Sequence, residues 1–187
     1  MESIQNLDSQ ILLYIQEHIR LDVLNPFWIA FTHLGDGGIL CIITSLILMC
    51  FKKTRKVGYI CGLSLIIGTL FTNIIIKNIV DRTRPFYTID SLVTLVKYPK
   101  DSSFPSGHTT SWFTCGMGLF LSLNKRYSFT FLLLASLMGF SRLYVGVHYP
   151  TDVICGMVIG IVSGIVGYNI VRISYKNKPS KLNNFTG

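Results

Sequence analysis

The chain has 187 residues and a net charge of +8, yet only 14% of its residues are charged and 50% are hydrophobic. Soluble domains carry about 25% charged residues, so this composition argues against a soluble domain and indicates a membrane protein. The positive charge does not indicate a nucleic-acid partner, because no basic helix or aromatic–basic stripe lies outside the apolar segments. The length predicts one membrane-embedded domain over residues 1–187.

Residues 1–25 form the first predicted element. They have neither a basic start nor an apolar signal core, so we expect no cleaved signal peptide. From residue 7 to residue 20, apolar side chains recur at every fourth position and polar side chains lie off that stripe: Leu7, Ile11, Ile15 and Ile19 against Asp8, Gln16, Glu17 and Arg20. The segment is too polar to span a bilayer, so we predict an amphipathic helix in the membrane interface.

Five apolar segments follow, and most approach the roughly 20 residues that a bilayer requires. They predict an all-α, polytopic bundle over residues 27–172, with transmembrane helices at about 27–50, 57–76, 108–123, 128–146 and 152–172. The first segment contains Gly35-Asp36-Gly37-Gly38, a polar break that we place near the outer interface. Residues 177–187 are polar and predict a loose cytoplasmic tail.

Charge predicts the orientation of the bundle. Three segments contain basic residues and no acidic ones: 52–56, the connection with Lys125 and Arg126, and the tail with Arg172, Lys176, Lys178 and Lys181. The positive-inside rule places these segments in the cytoplasm. With five spans, the N-terminus and the connections 77–107 and 142–151 then lie outside.

Both outer connections carry ionisable residues at the membrane edge, where a functional site is the default interpretation. Lys77, Arg84 and Arg142 are the cations among them. They either extend to lipid headgroups or converge on a phosphate, for which planar Arg side chains offer paired donors. For Lys77 alone the two interpretations have equal support.

The third predicted span is preceded by Pro105-Ser106-Gly107. Pro105 suits the first turn of a helix, and Gly107 lets backbone approach a ligand closely. The free N–H groups of this helix would then bind an anion at the outer site. For these three residues alone, an ordinary turn with Ser106 as the helix cap is the stronger interpretation.

Two histidines favour catalysis. Asp152 follows His148 by four residues, and Pro150 suits the first position of the fifth span, so the carboxylate can reach the imidazole. A carboxylate so placed fixes the tautomer and stabilises the imidazolium. With His108 as a second imidazole, the sequence supplies the nucleophile, proton donor and cations that phosphoryl transfer requires.

Two alternatives compete with this interpretation. Two His and one Asp could hold a metal ion, but the neighbouring Lys77, Arg84 and Arg142 would repel it. An anion transporter would also place charges at helix breaks, but it would need neither a paired histidine nor a second one.

The three stretches resemble the signature of the type 2 phosphatidic acid phosphatase superfamily: Lys-x6-Arg-Pro, Pro-Ser-Gly-His and Ser-Arg-x5-His-x3-Asp. The chain matches every signature position, from Lys77 to Arg84-Pro85, from Pro105 to His108, and from Ser141-Arg142 through His148 to Asp152. The resemblance covers about residues 57–172. It implies an all-helical bundle with its site at one membrane face.

The resemblance also implies the role of each site residue. His148 would be the nucleophile that forms a phosphohistidine, Asp152 would orient it, and His108 would protonate the leaving oxygen. The phosphoryl oxygens would be held by Lys77, Arg84, Ser106, Gly107 and Arg142. No metal or other cofactor is implied.

The same family includes phosphatases for undecaprenyl diphosphate, phosphatidylglycerophosphate, phosphatidate and lipid A, and soluble vanadium haloperoxidases, which five membrane spans argue against. The small size and the residues around His108 and His148 are most similar to bacterial undecaprenyl-diphosphate phosphatases, by analogy. The resemblance therefore implies a bacterial plasma-membrane enzyme that recycles the cell-wall lipid carrier on the outer face. The connection 86–104 is either a lid that recognises the headgroup or part of an aromatic belt.

Overall fold

The computed structural model describes residues 2–177, and these residues are helical without β-strands. Short 3-10 and π-helical turns link the α-helices, which are α1 Glu2–Tyr14, α2 Asn25–His33, α3 Ile39–Cys50, α4 Arg55–Thr69, α5 Lys77–Val80, α6 Gly107–Ser122, α7 Lys125–Tyr144 and α8 Pro150–Lys176. The all-α prediction is therefore confirmed. The predicted tail lies, from residue 178 onward, outside the described residues.

Two helical segments in residues 2–177 are long and apolar enough to cross a membrane, Arg55–Tyr87 and Pro150–Lys176. A third span results if the pair Asp22–His33 and Asp36–Cys50, bent by 40° at the predicted polar break, crosses as one unit. Helices α6 and α7 match the third and fourth predicted spans in position, but neither is both long enough and apolar enough to count as a span by itself. A count of five spans stays a prediction.

Helix α6 lies at the centre of the bundle and packs against α4, α7 and α8. Glycines on α8 allow its backbone to approach α6: a Cβ at Gly160 would lie 2.7 Å from the carbonyl oxygen of Thr110. Small residues at such contacts are a common feature of packed membrane helices. At the N-terminal ends of the two helices, Ser106 N donates to the carbonyl oxygen of Asp152 at 3.1 Å. The close packing therefore brings the second and third signature stretches together.

Helix α1, with its π-helical extension Ile15–Ile19, forms where the amphipathic helix was predicted. Most of the predicted apolar stripe is exposed, with Leu7 at 56% and Ile11 at 36%, as expected for a helix in contact with lipid. The buried face contains Leu12, Ile15 of the stripe and, unexpectedly, Asp8, which is 2% exposed. The face that packs against the protein thus contains both apolar and polar side chains, and the place of this helix in the membrane interface stays a prediction.

The connection between α5 and α6 folds over the end of the bundle at which α6 and α8 begin. The side chain of Gln16 donates to Ser91 O at 2.9 Å and accepts from Val93 N at 2.7 Å. Phe86 and Tyr98 stack with ring centroids 4.5 Å apart. The N-terminal segment thus fixes the middle of this connection, which contributes several residues to the site described next.

Candidate active site

A cavity of about 820 Å³ lies between the break after α2, the N-terminus of α6 and the connection that precedes α6. Six of the eight predicted site residues line it: Lys77, Arg84, Gly107, His108, Arg142 and His148. The remaining two, Ser106 and Asp152, are fully buried behind the cavity wall. The fold therefore brings all three signature stretches to one place.

His148 and Asp152 form the pair that their spacing predicts. Tyr149 caps α8, Pro150 is its first residue, and the Asp152 carboxylate lies 3.4 Å from His148 Nδ1. The same carboxylate accepts from Tyr149 N at 2.9 Å and from Ser103 Oγ at 2.5 Å, and these contacts help to fix its position. An Nδ1–H donated to Asp152 leaves the lone pair of the neutral ring on Nε2.

The environment of His148 favours this neutral form. The imidazole is 1% exposed. Burial lowers the pKa of His148 to about 4, although the hydrogen bond to Asp152 offsets part of the effect. At neutral pH Nε2 therefore keeps its lone pair, as a nitrogen nucleophile must.

Lys77 and Arg84 converge on one carboxylate. Asp101, from the connection before α6, forms ion pairs with Lys77 and with Arg84 Nη2, the latter at 2.8 Å. Burial opposes ionisation of Asp101, but the two cations outweigh it and lower its pKa to about 2. The carboxylate is thus charged at any working pH and shows that an oxyanion can bind both cations at once.

Arg142 is a buried cation of the site, with 4% of its surface exposed, as for Arg84. Its Nη1 donates to Thr32 Oγ1 at 2.6 Å, while its buried Nε has no hydrogen-bond partner among residues 2–177. A buried N–H without a partner is costly. Because Arg142 also lines the cavity, its guanidinium can contact an oxyanion there.

The side chain of Ser106 caps the N-terminus of α6, as expected for an ordinary turn into a helix. Its Oγ accepts from Thr109 N at 3.4 Å and from Thr109 Oγ1 at 2.9 Å, and it does not line the cavity. Gly107, the first residue of α6, does line it. The helix N-terminus thus points its free N–H groups toward the site, whereas phosphate binding by Ser106 stays a prediction.

Comparison with known proteins decides the family, because residues 58–176 match the PAP2 superfamily. The chain belongs to the PAP2 superfamily. It is 31% identical over 157 residues to an undecaprenyl-diphosphatase of Sulfolobus acidocaldarius, a match that covers 83% of this chain and 75% of that protein. It is 33% identical over 129 residues to a lipid A 4'-phosphatase of Porphyromonas gingivalis, covering 64% and 54% of the two chains.

The fold of this PAP2 protein is also found in a solved structure. The transmembrane PAP2-type phosphatidylglycerolphosphate phosphatase of Bacillus subtilis superposes with a TM-score of 0.74 at 25% identity, covering 97% of this chain and 90% of that one. Together with the membrane-length helices, this similarity indicates an integral membrane protein. The names of the three relatives specify three different lipid headgroups, so family membership leaves the substrate open.

Two residues that sequence reasoning missed support Asp152 from behind. Arg82 donates from Nη1 to Asp152 and from Nη2 to the buried Asp8 of α1, both at 2.7 Å. Its guanidinium lies 3.9 Å above the Tyr149 ring. Arg82 could have been found from the sequence, because it is a charged residue inside the first signature stretch. Asp8 had none, because its partner is 74 residues away.

Within residues 2–177, no three His, Cys, Asp or Glu side chains are grouped so that they could hold a metal ion. Cations at the site come instead from Lys77, Arg84 and Arg142. A metal-independent reaction stays a prediction.

Proposed function

We propose that the protein is a lipid phosphate phosphatase that works through a phosphohistidine on His148. The observation that carries this proposal is the His148 imidazole, with Nδ1 3.4 Å from the Asp152 carboxylate, in the wall of a cavity that Lys77, Arg84 and Arg142 also line. A tetrahedral phosphoryl group bound by these cations would present its phosphorus to Nε2. Gly107 N–H at the start of α6 would bind a further oxygen.

The reaction then takes two steps. In the first, the His148 Nε2–P bond forms while the bond to the leaving oxygen breaks, and His108 gives that oxygen a proton. In the second, water attacks the phosphohistidine, His108 takes the proton of the water, and inorganic phosphate leaves. Both steps need only the cations of the site to stabilise the charge on the phosphoryl oxygens, so we expect activity to survive EDTA.

A lipid substrate is supported by a second cavity of about 740 Å³ between α3 and α4, lined mostly by apolar side chains such as Ile42, Leu46, Leu63 and Ile66. This groove shares four lining residues with the phosphate cavity: Gly37, Gly38, Thr69 and Ser111. A phosphate in the first cavity and a hydrocarbon chain in the second would therefore belong to one molecule.

Among lipid phosphates, we propose undecaprenyl diphosphate, converted to undecaprenyl phosphate in recycling of the cell-wall lipid carrier. The similarity to the Sulfolobus undecaprenyl-diphosphatase, which extends over most of both chains, supports this choice. Phosphatidylglycerophosphate, phosphatidate and lipid A are the alternatives within the family.

The experiment that tests the function is a comparison of kcat/KM across lipid phosphates in detergent. We expect undecaprenyl diphosphate to exceed phosphatidylglycerophosphate, phosphatidate and lipid A. Farnesyl diphosphate, which has the same headgroup on a shorter chain, should show a higher KM, since it fills less of the groove.

Activity should persist in EDTA and fall with vanadate, which mimics five-coordinate phosphorus. Absence of phosphatase activity on every lipid would refute the function, and loss with EDTA would refute only the metal-free mechanism.

We further propose a bacterial plasma-membrane location, five spans and an outward-facing site. Lys100 and Lys53 are both exposed and lie on opposite predicted sides of the bilayer. In a background without native cysteines, Lys100→Cys should react with a membrane-impermeant thiol reagent in intact cells. The matched Lys53→Cys should react only after permeabilisation. The reverse pattern would contradict the outward orientation.

A further inference from the structure

The polar break Gly35-Asp36-Gly37-Gly38 contains Asp36, which has no role in the proposed reaction, and it precedes the region that matches the family, residues 58–176. Gly37 and Gly38 have φ values of 59° and 66°, in the left-handed region that favours glycine. A Cβ at Gly35 would lie 2.5 Å from His108 Cδ2. The break is thus fitted closely against the imidazole of His108.

Asp36 uses this position to connect two histidines. Its Oδ1 lies 3.0 Å from His108 Nε2, and its Oδ2 lies 2.7 Å from His33 Nδ1. All three side chains line the phosphate cavity. The arrangement on this side of the cavity repeats the pairing of His148 with Asp152 on the other side, so the site contains two carboxylate–imidazole pairs.

The electrostatics of the cavity explain why His108 needs a carboxylate. A general acid must carry a proton before the reaction, which for histidine means the positively charged imidazolium. Arg142 and His148 line the same cavity, and the Arg142 cation disfavours a second positive charge nearby. The negative charge of Asp36, in direct contact with Nε2, offsets part of that repulsion.

We propose that Asp36 is a positioning residue that holds His108 through Nε2 and supports its imidazolium form, so that Nδ1–H can protonate the leaving oxygen. This inference rests on the proposed phosphatase function. In the first step the Nδ1 proton moves to the leaving oxygen while Asp36 stays ionised. In the second step the neutral Nδ1 accepts the proton of the attacking water, which restores the imidazolium.

The test compares substrates that do and do not need a proton on the leaving group. Asp36→Asn should lower kcat on the lipid substrates undecaprenyl diphosphate and phosphatidate. The loss should be about 100-fold on phosphatidate, whose lipid alcohol is the poorer leaving group. It should leave kcat on p-nitrophenyl phosphate within about threefold, because that leaving group departs without a proton. KM should change little, and Asp36→Glu should recover part of the loss. Asp90→Asn, an equal change at an exposed residue of the connection before α6, is the matched control.

A second measurement is independent of the aryl substrate. If Asp36 acts through His108, then Asp36→Asn should cause no further loss in a His108→Ala background, whereas unrelated effects would multiply. Equal loss on lipid and aryl substrates, no loss on either, or a multiplied loss in the double variant would each overturn the inference. A wild-type protein without phosphatase activity would instead overturn the function on which it rests.

Discussion

Replacement of His148 by alanine should abolish turnover of every phosphate substrate, lowering kcat by about 10⁴-fold or more. Its Nε2 is the nitrogen that keeps a lone pair when Nδ1 donates to Asp152, and it lies 3.3 Å from Arg84 Nη1, at the cationic side of the cavity. Without this nitrogen no phosphohistidine can form, whatever the leaving group. Steady-state kinetics on undecaprenyl diphosphate and p-nitrophenyl phosphate would measure the effect.

The control for this prediction is His18→Ala. His18 is an exposed histidine that stacks on Tyr14, away from the cavity, and its loss should leave kcat unchanged. Substantial turnover by His148→Ala on either substrate would mean that another group attacks phosphorus, or that water attacks directly.

The second large effect is expected for Asp152→Asn, which should lower kcat by about 10²-fold to 10⁴-fold. The amide cannot stabilise the imidazolium-like charge on His148 as a carboxylate does, and it permits the wrong tautomer. KM should change little, because Asp152 lies behind His148 and does not line the cavity. The measurement is kcat and KM together with the thermal midpoint, which separates a catalytic loss from a loss of folded protein.

Asp22→Asn gives a matched control for this substitution, since Asp22 is exposed and accepts from Asn25 Nδ2 at 3.2 Å. An Asp152→Asn variant with normal kcat and a raised KM would contradict the orienting role. It would place the carboxylate in substrate binding instead.

Residues close in sequence made part of the site predictable. The four-residue spacing of His148 and Asp152 becomes a contact because Pro150 starts α8, a consequence of local helix geometry alone. The same holds for Ser106, whose side chain caps the start of α6 as local helix chemistry predicts. Local spacing and helix-terminus chemistry can be recognised from sequence, since the partners are set by one turn of helix.

The contacts that complete the site join distant parts of the chain and have no local signal. Asp36 meets His108 across 72 residues, and Asp8 meets Arg82 across 74. The sequence predicts that Asp8 lies off the apolar stripe of an interfacial helix, but its side chain is buried in the bundle. Its burial follows from the position of Arg82, which only the tertiary fold determines.

Membrane spans were predictable where the helices are uniformly apolar, as in α8. Helix α6 has 16 residues, fewer than the roughly 20 that a bilayer requires, and it packs among several neighbouring helices. Its buried threonines form hydrogen bonds there, as with Thr110 Oγ1, which accepts from Thr72 Oγ1 at 3.1 Å. Length and hydropathy alone therefore do not decide whether a central helix of this kind spans the membrane.

The most direct test of the mechanism is to trap the covalent intermediate. Undecaprenyl diphosphate labelled in its terminal phosphate would be mixed with the protein for a few milliseconds, quenched in denaturant at alkaline pH, and digested for peptide mapping. The phosphohistidine mechanism predicts label on the peptide that contains His148, lost in His148→Ala and retained in His18→Ala. Release of labelled phosphate at the full catalytic rate without labelled peptide, or label on any other residue, would contradict it.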